Sequence, residues 1–399
     1  MHTSPHVLFV DHSGALGGAE LYLLDVARAL QNHCSVALFE HGPFESKLRA
    51  AGVKTRILQA PEALRNVRRS SRLTSLLRTV PATLSQSYRL SKVARAHDVI
   101  YANSQKALVV SAIAGLLSGR PVIWNLHDIL TADHFSAVNR WLAVSVANYL
   151  TDHVVVNSEA TRSSFIDSGG RVDTTVVYNG IEPSDFDADA GARSRIRSQL
   201  GVDEEQPLVG VFSRLAPWKG QHVLIEAFPH LPELHAVFVG DALFEGDEAY
   251  RAELRSMCKE HGLSDRVHFA GFQDDVGAWM SAVDIVAHTS TSPEPFGRVV
   301  VEGMLAGRPI VATAAGGVLE IVDHGQTGCL VPSGDAQALA RTLRSLIECP
   351  AKRERMARAG QRHAERTFSI GQTVRGIKDV LQKVHPSRRS ASTAAASSG

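Results

Sequence analysis

Cysteine is scarce in this sequence. The four cysteines among 399 residues are scattered, and they form neither a Cys-x-x-Cys pair nor a cluster with histidine. Disulfide frameworks and zinc sites depend on such spacings, so neither is expected, and a reducing cytoplasm is the predicted location. The positions are Cys34, Cys258, Cys329 and Cys349.

Long apolar runs and an excess of charge of one sign are also lacking. The longest apolar stretch, 107–117, is well short of the ~20 residues that span a bilayer, and it predicts a buried helix. No basic region or cleavage signal precedes the first apolar strand, so no secretory leader is predicted. The formal net charge is +1 and no nucleic-acid-binding module is recognisable, which argues against a nucleic-acid partner.

One segment departs from this even distribution of charge. Glu62 to Arg95 holds eight basic residues, among them Arg65, and a single acid. Apolar residues between them predict one or two amphipathic helices, interrupted near Pro81. Such a stretch can lie on an anionic membrane surface, at the inner face of the cell membrane. The alternative is a solvated basic helix packed on its own domain, and both interpretations stay open.

The remainder alternates apolar strands, Gly-rich turns and helical patterns. This alternation predicts an α/β fold of two doubly wound, Rossmann-like domains. Ligands bind at the carboxyl ends of the strands in such sheets, so we expect both domains to present those ends to a central cleft. The predicted strands are 7–10, 36–39, 99–101, 122–126, 154–156, 208–212, 236–239, 267–270, 285–287 and 310–312.

The domain boundaries follow from shifts in composition. The segment 183–206 is rich in Asp, Ala and Arg and is flanked by prolines, so we interpret it as the interdomain connection. A disordered tail is predicted after residue 385, where apolar periodicity ends. The predicted parts are the N-terminal domain 1–182, the connection 183–206, the C-terminal domain 207–368, an amphipathic helix 369–385 and the tail 386–399.

The most distinctive motif is a pair of glutamates. Glu294 lies in a Pro-rich loop and Glu302 lies on the first turns of the following helix. Gly297 allows close approach of the backbone to a ligand, and the helix N-terminus offers N–H groups to an anion. Eight positions span about 12 Å at helical rise. The pair therefore predicts two carboxylates that bind hydroxyls at opposite ends of an elongated, phosphate-containing ligand.

Basic and Gly-rich loops accompany this pair. Arg214 and Lys219 follow a strand and could converge on a diphosphate, although two exposed basic residues on a loop are the alternative. Gly17-Gly18 and Gly316-Gly317 each open a helix, where backbone N–H groups favour phosphate or sugar oxygens. The first of these loops departs from the dinucleotide fingerprint and from the P-loop. The alternative interpretation, a tight turn that binds no ligand, stays open.

His127 ends a strand of the N-terminal domain. A histidine there can donate to sugar or phosphate oxygens, or titrate near neutral pH, whereas the alternative is a structural role.

Together these motifs resemble glycosyltransferase family 4, whose members are retaining enzymes of the GT-B fold. The similarity covers about residues 6 to 370. It rests on Glu294-Pro295-Phe296-Gly297 with Glu302, the Arg214/Lys219 loop, Gly17-Gly18-Ala19-Glu20, His127-Asp128, Asn157-Ser158-Glu159 and Asn179-Gly180-Ile181.

The resemblance implies a role for each matching residue. Glu294 would bind the donor-sugar hydroxyls, and Glu302 the ribose. Arg214 and Lys219 would bind the diphosphate and stabilise the charge that develops on it, with His127 near the transferred sugar. The N-terminal domain would lie on the acceptor side, and helix 369–385 would cross back to it. Backbone contacts to the donor would come from Gly17, Gly18, Gly271, Phe272, Phe296, Gly297, Gly316 and Gly317.

The activity implied is transfer of a hexose, with retention, from a UDP- or GDP-sugar to a glycan, lipid-linked or small-molecule acceptor in cell-surface polysaccharide or glycoconjugate biosynthesis. Fixed cations would replace a metal, so no cofactor is expected. Asp185, Asp187 and Asp189 imitate the Asp-x-Asp motif of metal-dependent enzymes, but we interpret them as a surface loop. The alternatives are a non-catalytic binding subunit of a polysaccharide assembly complex and a sugar-nucleotide epimerase or hydrolase.

Overall fold

Short apolar runs in the sequence form the strands of two parallel sheets. The computed structural model describes residues 5–65, 79–131, 135–187, 190–242 and 247–396, with side chains described as far as residue 385. The chain divides into two units. Unit 1 comprises Met1–Gly180 and Ile370–Gly399, and unit 2 comprises Ile181–Ser369.

Unit 1 contains a seven-stranded sheet in the order β3-β2-β1-β4-β5-β6-β7. All neighbouring strands pair in parallel, and the direction of winding reverses between β1 and β4. Such a reversal is where doubly wound sheets place their ligands. The strands are β1 Val7–Asp11, β2 Cys34–Leu38, β3 Thr55–Ile57, β4 Val99–Ala102, β5 Val122–Leu126, β6 His153–Val156 and β7 Thr174–Val176.

Helices cover both faces of this sheet. One apolar core includes Leu90, Leu108 and Val144, and the other includes Leu23 and Ile377. The helices are α1 Gly18–Ala29, α2 Pro43–Ala50, α3 Glu62–Arg65, α4 Val80–Ala94, α5 Gln105–Ser118, α6 Ala137–Leu150, α7 Glu159–Asp167 and the C-terminal helix Ile370–Ala396.

Unit 2 contains a six-stranded parallel sheet in the order β10-β9-β8-β11-β12-β13. Its strands are β8 Leu208–Phe212, β9 His235–Val239, β10 Val267–Gly271, β11 Ile285–His288, β12 Ile310–Thr313 and β13 Cys329–Val331. Its α-helices are α8 Ala192–Leu200, α9 Gln221–Ala227, α10 Asp247–Glu260, α11 Val276–Ala282, α12 Arg298–Leu305, α13 Val318–Ile321, α14 Ala336–Ile347 and α15 Pro350–Thr367. The predicted fold class, two parallel α/β domains, is confirmed.

The interpretation of 183–206 as a connection needs correction. This segment lies inside unit 2 and contains α8, which packs against α11. One of its polar residues is buried: Arg197 is 1% exposed. The Arg197 guanidinium donates to the carbonyl oxygens of Ala282 at 2.9 Å and Asp203 at 2.7 Å. Asp284 lies 3.5 Å from the same side chain. A buried charge that is fully hydrogen-bonded can belong to a core, so composition alone misidentified the segment.

The tail also differs from prediction. The C-terminal helix begins at Ile370 and continues to Ala396, through most of the segment 386–399 for which disorder was predicted. Four of the six residues 391–396 are alanine, which has the highest helix propensity, whereas Pro386 disfavours a helix interior and its inclusion has no local explanation. Near its start, the Thr373 hydroxyl donates to the Tyr178 carbonyl and accepts from the Gly180 N–H, each at 2.7 Å.

The basic segment forms two helices in its described part. Arg65 ends α3, and α4 begins at Val80 with Pro81 in its first turn, where proline is tolerated. Pro81 therefore lies at the start of a helix, where the sequence predicted that the helical pattern is interrupted. Residues 66–78, which include Arg68, Arg69, Arg72 and Arg78, lie outside the described residues.

Candidate functional site

Glu294 lies at the centre of a cluster of hydrogen-bond donors in unit 2. The residue is 8% exposed, and three donors converge on one carboxylate oxygen, Oε1. Lys219 Nζ lies 2.6 Å away, His288 Nε2 2.9 Å and the Ser290 hydroxyl 2.5 Å. His288 ends β11 and Ser290 follows it, so the carboxyl end of this strand supplies two of the three donors.

This cluster keeps Glu294 ionised. Burial alone would raise the pKa of the Glu294 carboxyl, but the charges of Lys219 and His288, with their hydrogen bonds, hold that pKa well below its usual range. Glu294 is therefore a carboxylate at neutral pH. It can accept hydrogen bonds from hydroxyls, and it cannot serve as a general acid there.

The loop that carries Lys219 is tied to the loop after β11. Thr291 donates its N–H to the Trp218 carbonyl at 2.8 Å, and the Thr289 hydroxyl donates to the Lys219 carbonyl at 2.9 Å. Gly220 has φ +68°, and a Cβ there would lie 2.0 Å from the Thr289 oxygen, so only glycine allows this approach. The backbone thus fixes Lys219 beside Glu294.

Trp218 supports two cations at once. Lys219 Nζ lies 4.2 Å from the centroid of the indole ring, and the Arg214 guanidinium lies 5.5 Å from it. Cations are attracted to the face of a tryptophan ring at these distances. Arg214 also lies 3.7 Å from the Asp247 carboxylate. The indole therefore holds Arg214 and Lys219 on one surface.

Gly316 and Gly317 pack against the backbone of the Glu294 loop. Gly317 donates its N–H to the Glu294 carbonyl at 2.8 Å. Gly316 has φ +62°, and a Cβ there would lie 2.2 Å from the same oxygen. Gly297 has φ +103° and caps the N-terminus of α12. The side chain of Phe296 is buried, with its ring edge-on to Phe368 at 5.8 Å.

A cavity of about 180 Å³ opens at the carboxyl ends of β8 and β9. Arg214, Glu302 and Phe272 line it, so three predicted donor-binding residues share one cavity. The Glu302 carboxylate accepts from Arg298 Nε at 2.7 Å, and the Phe272 ring is 59% exposed. Gly271 has φ +68°, and its carbonyl accepts from the Gly240 N–H at 2.8 Å.

In unit 1, the carboxyl ends of β1, β4 and β5 also carry polar side chains. Asn103 joins them: its Nδ2 donates to Asp11 at 2.6 Å, and its Oδ1 lies 2.9 Å from His127 Nε2 and 3.2 Å from Asn125 Nδ2. Asp11, Asn103 and Asn125 are all buried. Hydrogen bonds therefore hold His127, as expected for a ring placed in a fixed orientation.

His127 does not titrate near neutral pH, contrary to one expectation. Burial lowers the pKa of the imidazole to about 4, although the charges of Asp128 and Asp11 act in the opposite direction. The Tyr22 ring packs edge-on to it at 5.0 Å. His127 is therefore a neutral ring at pH 7, able to donate from one nitrogen and accept at the other.

A carboxyl group of the protein lies at the helix start formed by Gly17-Gly18. An ideal Cβ on Gly17 would be 2.8 Å from Glu20 Oε2. Burial and the charge of Asp11 raise the pKa of Glu20 to about 7. Gly18 is exposed, and a Cβ there would meet nothing within 4 Å. The predicted phosphate site at this helix start thus already holds a carboxyl group.

Several site residues were missed in the sequence, namely Asp11, Asn103, Asn125, His288 and Ser290. A usable signal existed for Asp11 and His288, which end apolar strands, whereas Asn125 lies inside β5 and Ser290 lies two positions after β11. Among the described residues there is no group of three or more metal-ligating side chains, and no helix there is long and apolar enough to cross a membrane. Asp185 lies in the short 3₁₀ helix Pro183–Phe186, and Asp187 directly follows that helix. Asp189 lies outside the described residues.

Comparison with known proteins identifies the class. Residues 16–185 match the model of Glycosyltransferase Family 4, and residues 192–363 match that of glycosyl transferases group 1. The crystal structure of Anabaena HepE in complex with UDP and glucose is 40% identical, with TM-score 0.86, over 95% of this chain and 99% of that chain. The chain therefore belongs to glycosyltransferase family 4, and its fold class is GT-B.

Two curated relatives are more distant. The lipopolysaccharide core biosynthesis glycosyltransferase LpsE of Rhizobium meliloti is 31% identical over 55% of this chain and 61% of its own length. A D-inositol 3-phosphate glycosyltransferase of Xylanimonas cellulosilytica is 34% identical over 51% of this chain and 50% of its own length. The chain thus spans between half and two thirds of the length of these curated relatives.

Proposed function

We propose that this protein transfers a hexose from a UDP-sugar to a glycan, lipid-linked or small-molecule acceptor in cell-surface glycoconjugate biosynthesis. The observation that carries the proposal is the ionised Glu294, held by Lys219. The Trp218 ring holds Lys219 together with Arg214, which lines the same cavity as Glu302. HepE, which has also been solved in complex with UDP-glucose, supports glucose as the first sugar to test.

The donor extends along the unit 2 site in this proposal. Glu294 accepts hydrogen bonds from sugar hydroxyls, and Glu302 accepts them from the ribose. Arg214 binds the diphosphate with its planar fork of donors. The exposed Phe272 ring offers a face on which the base stacks, next to the backbone of Gly271. Gly316-Gly317 position the Glu294 loop, and their backbone is also proposed to contact the donor.

Lys219 has a second task. When the bond between the sugar and the diphosphate breaks, negative charge develops on the leaving oxygen. A lysine ammonium carries three N–H donors, so Lys219 can bind Glu294 with one and the departing phosphate with another. Cations fixed in advance stabilise such a charge without reorganisation. We therefore propose transfer without a metal cofactor, and equal rates with EDTA and with added Mg²⁺ are expected.

Retention of configuration is proposed from the family resemblance, and the environment of Glu294 bears on the mechanism. A nucleophilic carboxylate needs an oxygen lone pair aimed at the sugar carbon, whereas Glu294 Oε1 is committed to three donors. We propose that Glu294 binds the sugar and that the acceptor attacks from the face that the diphosphate leaves. The anomeric configuration is then retained, which NMR of the product tests directly, since inversion would contradict this assignment.

In unit 1, the neutral His127 ring is proposed to bind hydroxyls of the transferred sugar. Gly17-Gly18 are proposed to approach phosphate oxygens. Both the helix dipole and the exposed Gly18 backbone favour an anion there, but Glu20 must lose its negative charge or move aside. This part of the site would therefore bind the donor more tightly when Glu20 is protonated.

We also propose a peripheral contact with an anionic membrane from the cytoplasmic side. Helix α4 exposes Val80, Leu84 and Tyr88 at intervals of four residues, so they lie along one face, and Lys92 continues that face. An apolar stripe next to cations suits an anionic bilayer surface. Leu84→Gln/Tyr88→Gln should lower sedimentation with vesicles containing phosphatidylglycerol, and unchanged binding would refute the contact.

The activity is tested by following UDP release from UDP-glucose, with GDP-glucose as comparison, in the presence and absence of a panel of acceptors. We expect release that depends on the acceptor and falls at least about 100-fold in Glu294→Gln. The matched control is Glu253→Gln on the exposed face of α10. Acceptor-independent release would indicate a hydrolase, and no turnover with retained UDP binding would indicate a binding subunit.

A further inference from the structure

A second cavity lies at the opposite edge of the unit 1 sheet. It has a volume of about 660 Å³, and Leu8, Ser35 and Thr55 line it. These residues lie at the amino ends of β1, β2 and β3, whereas Asp11 and Asn103 lie at the carboxyl ends of β1 and β4. The cavity is therefore separate from the cluster around His127, and nothing in the proposed transfer uses it.

Cations from three segments line this cavity. Arg49 comes from α2, Lys54 and Arg56 from the start of β3, and Lys92 from the last turns of α4. None of the described residues that line it carries a carboxylate. The Arg49 guanidinium forms an ion pair with the Glu45 carboxylate, which lies 2.9 Å away on the same helix. The other three ammonium and guanidinium groups give the cavity a strongly positive lining.

Lys54 directly precedes β3 and Arg56 lies within it, and β3 is an edge strand that pairs on one side only. Arg56 pairs with Ala37 in the parallel register of β2 and β3, so its side chain lies on the face of Ala37, the face that α4 covers. Strands of parallel sheets are normally apolar on both faces. Here the face stays open to solvent at the amino end, and two cations replace the apolar side chains.

The floor of the cavity is neutral. The Ser35 hydroxyl contacts His97 Nε2, while His97 Nδ1 lies 3.0 Å from the Val93 carbonyl. Burial lowers the pKa of His97, which favours a neutral ring that donates from Nδ1 and accepts the serine hydroxyl at Nε2. The charge of the cavity thus comes from its rim, where long side chains can close on a ligand.

We propose that this cavity binds a phosphate-bearing anion. Its volume falls within the range of small-molecule sites, about 300–1,000 Å³. Arginine and lysine are the residues that bind phosphate oxygens, the first through paired donors and the second as a compact charge. A soluble phosphorylated compound and a phospholipid headgroup offer the same chemistry, and the experiment separates them.

The test compares two variants that change the net charge equally. Lys54→Gln/Arg56→Gln removes two rim cations, and Lys259→Gln/Arg341→Gln removes two exposed cations of unit 2. Both variants and the parent carry Arg214→Gln, which removes the proposed diphosphate-binding guanidinium. Calorimetric titration with inorganic pyrophosphate at low salt should then show binding weakened about tenfold or more in the first variant only. Sedimentation with phosphatidylcholine vesicles, with and without phosphatidylglycerol, is run on the same proteins.

The outcomes separate clearly. Loss of pyrophosphate binding without loss of vesicle binding assigns the cavity to a soluble phosphorylated ligand. Loss of binding to the phosphatidylglycerol vesicles assigns it to a headgroup. Equal affinities in both variants and the parent, or equal losses in both variants, overturn the proposal, because binding would then lie elsewhere or follow overall charge. Thermal unfolding of each variant checks that the fold is retained.

Discussion

At the carboxyl edge of the unit 2 sheet, Glu294 is an ionised carboxylate held by Lys219, whereas at the same edge of the unit 1 sheet His127 is a neutral ring held by Asn103. Both groups follow apolar strands of similar doubly wound sheets, and both are fixed by several hydrogen bonds. The neighbours differ: cations surround Glu294, while a buried amide network surrounds His127.

Under the proposed function, this difference gives one architecture two kinds of recognition. A cluster with lysine and arginine keeps charge available for a diphosphate, and it is paired well enough to remain ionised when buried. A network of amides and a neutral imidazole offers donors and acceptors without charge, which suits hydroxyl groups. The following predictions test whether the charged side carries more of the catalysis than the neutral side.

The largest effect is expected from Lys219→Ala. It removes the cation beside Glu294 and the proposed donor to the leaving phosphate, so kcat should fall by about two to three orders of magnitude. Steady-state kinetics at saturating UDP-glucose measures this, with Lys259→Ala on α10 as the control. Near-normal kcat in Lys219→Ala would refute the assignment of the charged cluster to the reaction.

On the neutral side, we expect a smaller loss and a dependence on hydrogen bonding. His127→Ala should lower kcat/KM by about 10- to 100-fold, whereas His127→Gln, which keeps a neutral donor and acceptor, should recover most of it. Because the pKa of His127 is about 4, its neutral form prevails between pH 5 and 8. A pH–rate inflection in that window that disappears in His127→Gln would contradict a neutral role.

A third prediction concerns stability. Gly316→Ala places a Cβ 2.2 Å from the Glu294 carbonyl at φ +62°, so it should lower the free energy of unfolding by about 1–3 kcal/mol. Gly371→Ala is the matched control, since a Cβ there meets nothing within 4 Å. Denaturant unfolding of both variants measures the difference, and equal stabilities would show that the Glu294 loop can adjust.

How far the sequence determined the fold depends on burial. The strands Val122–Leu126 and Leu208–Phe212 were predicted to the residue, because buried parallel strands are apolar on both faces. The strands Thr55–Ile57, Thr174–Val176 and Cys329–Val331 were missed. All three are edge strands of three residues, so they pair on one side only and need no continuous apolar run.

Some residues of the candidate site could be predicted from the sequence and others could not. Glu294, Glu302, Arg214 and Lys219 lie in recognisable local motifs, and the first and last of them are in direct contact. Their functional roles stay predictions. Asn103 could not be found by local pattern, because its partner Asp11 is 92 positions earlier and only the sheet order brings them together.

The smallest effect, and the finest test of the comparison, concerns Glu20 at the Gly17-Gly18 helix start. The pKa of Glu20 is about 7, so its negative charge grows as pH rises from 6 to 8. If this helix start binds phosphate, the carboxylate repels it, and KM for UDP-glucose should rise a few-fold over that range. Glu20→Gln removes the charge and should flatten the profile, with Glu253→Gln as control. A rise of KM that persists in Glu20→Gln would assign the pH dependence to another group, and the neutral character of the unit 1 site would then extend to this helix start.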